Sequence, residues 1–327
     1  MYQTVLAFAF WVLVISFATT YFIFPAAIAS FKRAKIVGKD MHKPGHPEVA
    51  EMGGLIIVAG FSAGVITITA IGAFLSSLLS VDLVKILAAL SVVLIMTMVG
   101  SVDDLVGVRQ VPKVLIPLLG SLPLVAIKAG HTLMNIPFIG QVDFGILYPL
   151  VLVPIGLTGA ANAFNMLAGF NGLEIGMSIV AVGSLAVVAY SIGATTSFLL
   201  LVATVGALIA ALRYNWYPAK VFIGDTGTFS LGAIVATAVI LGNFETAGVI
   251  IIIPYVLDFL LKAPHRFPKT FGIYKNGKLY CPGSRPAGLA QLVMKLCGGI
   301  TERKLVLTII GIEAVCAVIA VLLYAHF

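Results

Sequence analysis

The stretch VKILAALSVVLIMTMVGSVDD, residues 84–104, decides the fold. From Val84 to Gly100 it is an apolar run of roughly the length a bilayer-spanning helix needs. It then ends on two adjacent carboxylates, Asp103 and Asp104. Neighbouring carboxylates at the end of such a helix are costly unless a cation, water or a basic partner compensates them. Arg109 and Lys113 follow within the same short loop. The stretch therefore predicts a membrane helix that delivers two acids to a site at one membrane face.

Nine similar runs flank it, at about Val5 to Ser30, Gly53 to Leu75, Val114 to Ile127, Ile146 to Ala163, Leu173 to Ile192, Thr195 to Leu212, Phe229 to Gly242, Ala247 to Leu261 and Leu305 to Tyr324. No basic residue precedes the first, which reads as a retained helix rather than a signal peptide. Composition agrees with ten spans. Of 327 residues 60% are hydrophobic and only 10% charged, against roughly 25% charged in soluble domains, and mean hydropathy is +1.11. The expectation is an all-α, polytopic integral membrane protein in which residues 1–327 form a single transmembrane catalytic domain. Residues 262–304, rich in Pro, Gly and charge, read as a structured loop within it.

Ten spans define five loops on one face, and these hold 18 of the 20 lysines and arginines; only Lys85 and Lys128 fall on the other face. That asymmetry predicts a cytoplasmic placement for the basic loops, including 262–304, and both termini outside. It also accounts for the net charge of +7 without nucleic acid. Cys281, Cys297 and Cys316 are an odd, widely spaced set that supports neither a disulfide framework nor a thiolate metal site.

The remaining polar residues gather on the basic face. Asn162, Asn165, Asn171 and Glu174 lie between two apolar runs, where amide oxygens can hold a hard cation or a planar base. Asn162 and Asn165, three apart, share a face if helical; Asn171-Gly172 also reads as a simple turn. Asp225, flanked by Gly224 and Gly227 in the segment that opens another run, reads as a cation ligand, a helix cap or both. His265 and Arg266 open the last loop, whose lysines read as headgroup contacts. Gly272 to Leu279 imitates a phosphate-binding loop but lacks its Ser or Thr, and Pro44-Gly45 forbids a helix that would align His42 with His46.

Taken together, Gly38-Lys-Asp-Met-His-Lys with Met52-Gly-Gly, Asp103-Asp104 through Lys113, the asparagine segment, Asn215-Trp-Tyr-Pro through Asp225, and His265-Arg266 resemble the polyprenyl-phosphate N-acetylhexosamine-1-phosphate transferases. Within that superfamily the chain is most similar to the archaeal and eukaryotic UDP-GlcNAc:dolichyl-phosphate GlcNAc-1-phosphotransferases. Where the bacterial cell-wall branch has aspartates, this chain has Ala168 and Asn171, against a muramoyl-pentapeptide substrate. The resemblance implies transfer of GlcNAc-1-phosphate from UDP-GlcNAc to a polyprenyl or dolichyl phosphate, releasing UMP. This is the first membrane step of lipid-linked oligosaccharide synthesis for N-glycosylation.

It further implies magnesium, or manganese in its place, on Asn165 and Asp225, and a uracil facing Asn171. Lys113, His265 and Arg266 are implied near the phosphates, with Asp103 and Asp104 catalytic and Asn162 and Glu174 at the substrate. Pro264 stands where the motif's first arginine would, leaving Lys262 or Lys269 as the substitute cation. Another UDP-N-acetylhexosamine is the runner-up donor. An anionic-solute transporter is the rival from another class, and it would need polar groups near the bilayer midplane. Homodimerisation stays open.

Overall fold

The computed structural model describes residues 2–79, 81–136 and 140–324. Helix α1 (Tyr2–Arg33) leads to a short hairpin of β1 (Val37–Lys39) and β2 (Glu48–Ala50), followed by α2 (Gly54–Phe74) and α3 (Leu83–Val106). Three helical pieces come next, α4 (Gln110–Leu115), α5 (Pro117–Gly120) and α6 (Leu122–Ala126), then the hairpin β3 (Leu133–Ile136) and β4 (Gly140–Asp143). A π-helical turn, Tyr148–Leu152, runs into α7 (Val153–Met166), and α8 (Leu173–Ser191), α9 (Thr195–Asn215) and α10 (Gly224–Gly242) follow. The chain closes with α11 (Glu245–Ile251), α12 (Ile253–Lys262), the hairpin β5 (Ile273–Lys275) and β6 (Lys278–Tyr280), α13 (Leu289–Leu296) and α14 (Glu302–Tyr324).

The protein is a helical, polytopic membrane protein. Among the described residues eight helices are long and apolar enough to cross a bilayer, or nine if α11 and α12 count as one span bent by 50°. The tenth apolar run is the shorter segment Pro112–Ala126. Pro117 and Pro123 sit at the starts of α5 and α6 and Pro254 at the start of α12. Each removes a backbone donor and crowds the preceding turn, which breaks a run that reads as continuous by hydropathy alone.

Helix α10 is the hub, buried along nearly its whole length and packed on α3 and α7, while α1 packs on α9 and α2 and α8 on α9 and α14. Small residues permit the close crossing of α3 and α10. A Cβ on Gly100 would stand 2.5 Å from the Asp225 carbonyl oxygen, so only glycine lets the end of α3 lie against the start of α10. That crossing brings Asp103 and Asp104 to Asp225. Residues 272–280, the imitation phosphate loop, form a hairpin turned on Asn276 and Gly277, both at positive φ.

Candidate active site

The first cluster forms where α3 ends, α10 begins and α4 crosses. The Lys113 ammonium is paired with both Asp103 and Asp225. It lies 2.5 Å from Asp103 Oδ2, which nevertheless lacks a well-aligned hydrogen bond, while Asp103 Oδ1 accepts the Val108 N–H at 2.8 Å. From α7, Asn165 Nδ2 donates to Asp225 Oδ1 (2.6 Å) and to Thr228 Oγ1 (2.9 Å). The Asn165 Oδ1 accepts no hydrogen bond among the described residues. One ammonium thus stands among three oxygen-bearing side chains, where a positive charge is needed to hold two carboxylates together.

Asp104 does a different job from its neighbour. Its Oδ1 accepts the Asp225 N–H (2.7 Å), and its Oδ2 accepts the Thr226 N–H (2.9 Å) and hydroxyl (2.6 Å). Helix α10 has no side-chain cap of its own, so Asp104 supplies one from across the crossing and fixes the backbone that carries Asp225. Glu51 stands near enough to Asp104 to feel its charge. Burial first, and then Asp104, push the Glu51 carboxyl above its ordinary value, with Lys269 opposing.

A second, buried cluster lies under residues 169–172, at the starts of α8 and α14. The Asn171 N–H donates to Glu302 Oε1 (2.9 Å), its Nδ2 to Asp40 Oδ2 (3.1 Å), and its Oδ1 accepts from Lys43 Nζ and the Ala219 N–H, both at 2.7 Å. Lys43 is also paired with Asp40 and, at 3.5 Å, with Glu302. Glu174 Oε1 accepts the Gly169 N–H at 2.6 Å. The His42 ring stacks on Phe170 (4.3 Å) and meets Phe271 edge-on. Its Nε2 accepts the Gly272 N–H at 3.3 Å.

Burial, reinforced by Lys43 and opposed by Asp40, brings His42 down to about 4, so at neutral pH it is an uncharged clasp between three loops. Asp40, His42 and Glu302 offer ligand atoms within 4.8 Å of one another, but Lys43 already supplies their cation. A cavity of about 350 Å³ opens beside this cluster, lined by Met41, Lys43, His46, Phe271 and Tyr274 among others.

Of the residues singled out by sequence, Asp103, Asp104, Lys113, Asn165 and Asp225 therefore converge. Asn162 turns aside, with its Nδ2 on the Thr158 carbonyl (2.9 Å) and more distantly on that of Val114. Asn171 is placed inside the second cluster, 2% exposed, with its amide engaged by protein on both ends. His265 and Arg266 are exposed at the end of α12; His265 Nδ1 lies 3.1 Å from the Leu261 carbonyl, and Arg266 forms no ion pair among the described residues.

Lys262 is not a spare cation. It is buried, paired with Asp258 at 2.8 Å and donating to the Met166 carbonyl, while Asp258 holds the Leu289 N–H at the start of α13. Lys269, facing Glu51, is the one still open to a ligand. Sequence reasoning quoted Asp40 and Lys43 within the Gly38-to-Lys43 motif without giving either a role, and it did not single out Glu51 or Glu302. The only local signal was the Asp40-to-Lys43 spacing; Glu302 is brought in from 131 residues beyond Asn171.

The family model for glycosyl transferase family 4 matches residues 86–243, from the start of α3 to the end of α10. A Saccharolobus solfataricus protein, provisionally named a UDP-N-acetylglucosamine–dolichyl-phosphate N-acetylglucosaminephosphotransferase, is 36% identical over 95% of this chain and 95% of its own. The Dictyostelium discoideum protein that carries that name unqualified is 28% identical over 91% of this chain and 84% of its own. A Clostridium perfringens phospho-N-acetylmuramoyl-pentapeptide-transferase is 35% identical, but over 50% of this chain and 54% of its own. The match runs through every helix that builds the carboxylate cluster, and the end-to-end likeness includes the second cluster as well. On both counts the chain belongs to glycosyl transferase family 4.

Proposed function

We propose that the protein transfers GlcNAc-1-phosphate from UDP-GlcNAc to a polyprenyl phosphate of the dolichyl type, with release of UMP. The reading is supported by relatives of that name along nearly the whole chain. The observation that carries it is the cluster of Asp103, Lys113, Asn165 and Asp225 at one end of α3 and α10. A soluble sugar nucleotide and a membrane-held phosphate can meet only at the membrane surface, and that is where the cluster lies. The charge asymmetry of the loops supports the cytoplasmic side for this face.

The acceptor is a phosphate monoester, whose second pKa of about 6 leaves it mostly dianionic near neutral pH. It needs no general base. An oxygen of the lipid phosphate bonds to the β-phosphorus of UDP-GlcNAc while the bond from that phosphorus to the bridging oxygen breaks, and UMP leaves with that oxygen. Repulsion between two anions is the obstacle, so the protein's part is positioning and positive charge. Asp103 holds Lys113 at the phosphates, Asp104 fixes the start of α10, and exposed Arg266 and Lys269 face incoming anion.

The donor set fits a hard divalent cation. Asn165 Oδ1 accepts no hydrogen bond among the described residues, and Asp103 and Asp225, both paired with Lys113, add carboxylates, all oxygen ligands of the kind magnesium takes. Magnesium, or manganese, held there by Asn165 and Asp225 would supply charge neutralisation on the transferring phosphate. In this reading Asn171 shapes the nucleotide site by locking residues 169–172 from beneath.

The test is to incubate purified protein with magnesium, dolichyl phosphate and equal amounts of UDP-GlcNAc, UDP-GalNAc and UDP-MurNAc-pentapeptide, and to identify the product lipids by mass. GlcNAc-diphosphate-dolichol should dominate. Dominant transfer of the muramoyl or GalNAc donor would overturn the substrate assignment.

A further inference from the structure

The opposite end of the bundle carries a site that the transfer reaction does not use. Helix α3 is 24 residues long, so about 36 Å separates its two ends. At the end away from the carboxylates a cavity of about 230 Å³ is lined by Asp82, Val84, Lys85, Ile127, Lys128, Ala129, Gly130, His131 and Asn243. Lys85 and Lys128 are the two basic residues, out of 20 in the chain, that fall on this face, and both open into the same cavity. A face otherwise cleared of lysine and arginine has its cations in one place.

The neighbouring carboxylates are committed elsewhere. Asp82 Oδ1 caps α3 by accepting the Val84 and Lys85 N–H groups at 3.1 and 3.2 Å, and its Oδ2 reaches Lys85 Nζ only at 4.0 Å. Glu245 accepts the Tyr148 hydroxyl and lies near His131. The Lys128 side chain makes no hydrogen bond or ion pair among the described residues, its backbone N–H alone being held, by the Val125 carbonyl at 3.0 Å.

The rim is fixed rather than loose. The His131 N–H donates to Asn243 Oδ1 at 2.6 Å, tying the 128–131 turn to the end of α10. Gly130, at φ +85°, lies so close to the Tyr148 ring that a Cβ would stand 2.5 Å from it. Below the cavity the exposed face of α3 carries Val84, Leu87, Leu94 and Met98 turned outward, and the exposed Ser91 among them turns its hydroxyl back onto the Leu87 carbonyl. The volume is under the roughly 300–1,000 Å³ of sites that enclose drug-sized ligands, which suits a small headgroup and not a nucleotide sugar.

We propose that this cavity binds the anionic phosphate headgroup of a lipid, with Lys85 and Lys128 on the phosphate and the hydrocarbon chain along Val84, Leu87 and Leu94. The depth is right for it, since the cavity sits where α3, α6 and α10 end and headgroups begin. Basic residues at that depth draw anionic headgroups, and the apolar strip below distinguishes a lipid from a free phosphate. The site is independent of the catalytic reading.

Native mass spectrometry of the full-length, delipidated protein tests it, with titrations of phosphatidylglycerol, phosphatidylcholine and inorganic phosphate. Wild type should retain one phosphatidylglycerol that Lys85→Gln/Lys128→Gln binds about tenfold more weakly, with Lys35→Gln, an exposed basic change on the other face, as wild type. Lys85→Arg/Lys128→Arg should restore retention. If the double variant folds poorly, Lys128→Gln alone carries the test, because the exposed Lys128 side chain has no hydrogen bond or ion pair among the described residues to lose. Equal retention by the double variant, or equal retention of phosphatidylcholine, would overturn the site. Displacement of the lipid by inorganic phosphate at equal concentration would make it a free-anion site and overturn the lipid assignment.

Discussion

Asp225 receives an ammonium on one carboxylate oxygen and an amide on the other, and its backbone N–H is held by Asp104. A side chain so placed contributes charge that its amide isostere lacks. Asp225→Asn, with its shape nearly kept, is expected to lose several orders of magnitude in turnover while folding normally, and excess chelator should stop wild type. A variant within about threefold of wild type would leave Asp225 as a helix start only.

His42 makes a separate prediction about stability. The unfolded chain binds a proton at about 6.5, whereas the folded chain refuses it until about 4, so folding is undisturbed above that window and weakens as pH falls through it. The loss reaches up to about 3 kcal/mol. Thermal midpoints between pH 7 and 4.5 should fall more steeply in wild type than in His42→Gln; parallel curves would show that His42 takes up its proton without disturbing the loops. The first cluster was legible because each member is a polar residue closing an apolar run, and lipid tolerates few of those. The joining of Asp40 and Lys43 to Glu302 was not, since a pairing across most of the chain leaves no local pattern.

At the level of elements, α10 begins without a cap of its own and borrows one from α3. Asp104→Ala should therefore cost about 1–2 kcal/mol of stability and Asp104→Asn less, read as thermal unfolding in detergent. Stability equal to wild type with activity abolished would place Asp104 on substrate rather than on the helix. Hydropathy located all ten apolar segments, because the bilayer imposes their length. It could not show that Pro117, Pro123 and Pro254 break two of them, and the short hairpins at 37–50, 133–143 and 273–280 are too small to leave a periodic trace. Nor could it pair α3 with α10, a crossing that rests on Gly100 and on contacts far apart in sequence.

At the scale of the whole molecule, the carboxylate cluster, the Asn171 network and the basic loops share one end of the bundle, and the lysine cavity occupies the other. A transporter would place its polar groups midway and open to both sides. Cys297, exposed just after α13, reports sidedness: a membrane-impermeant maleimide should label it in inverted vesicles and not in right-side-out ones. Labelling from the outside would reverse the orientation. The central claim is direct transfer to lipid within this cluster, and it is met most directly by incubating the enzyme with UDP-GlcNAc labelled in its β-phosphate, with and without dolichyl phosphate. Label should appear only in lipid, with UMP released only when lipid is present. Stoichiometric UMP release without lipid, with label held on Asp103 or Asp104 and passed on when lipid is added, would contradict it.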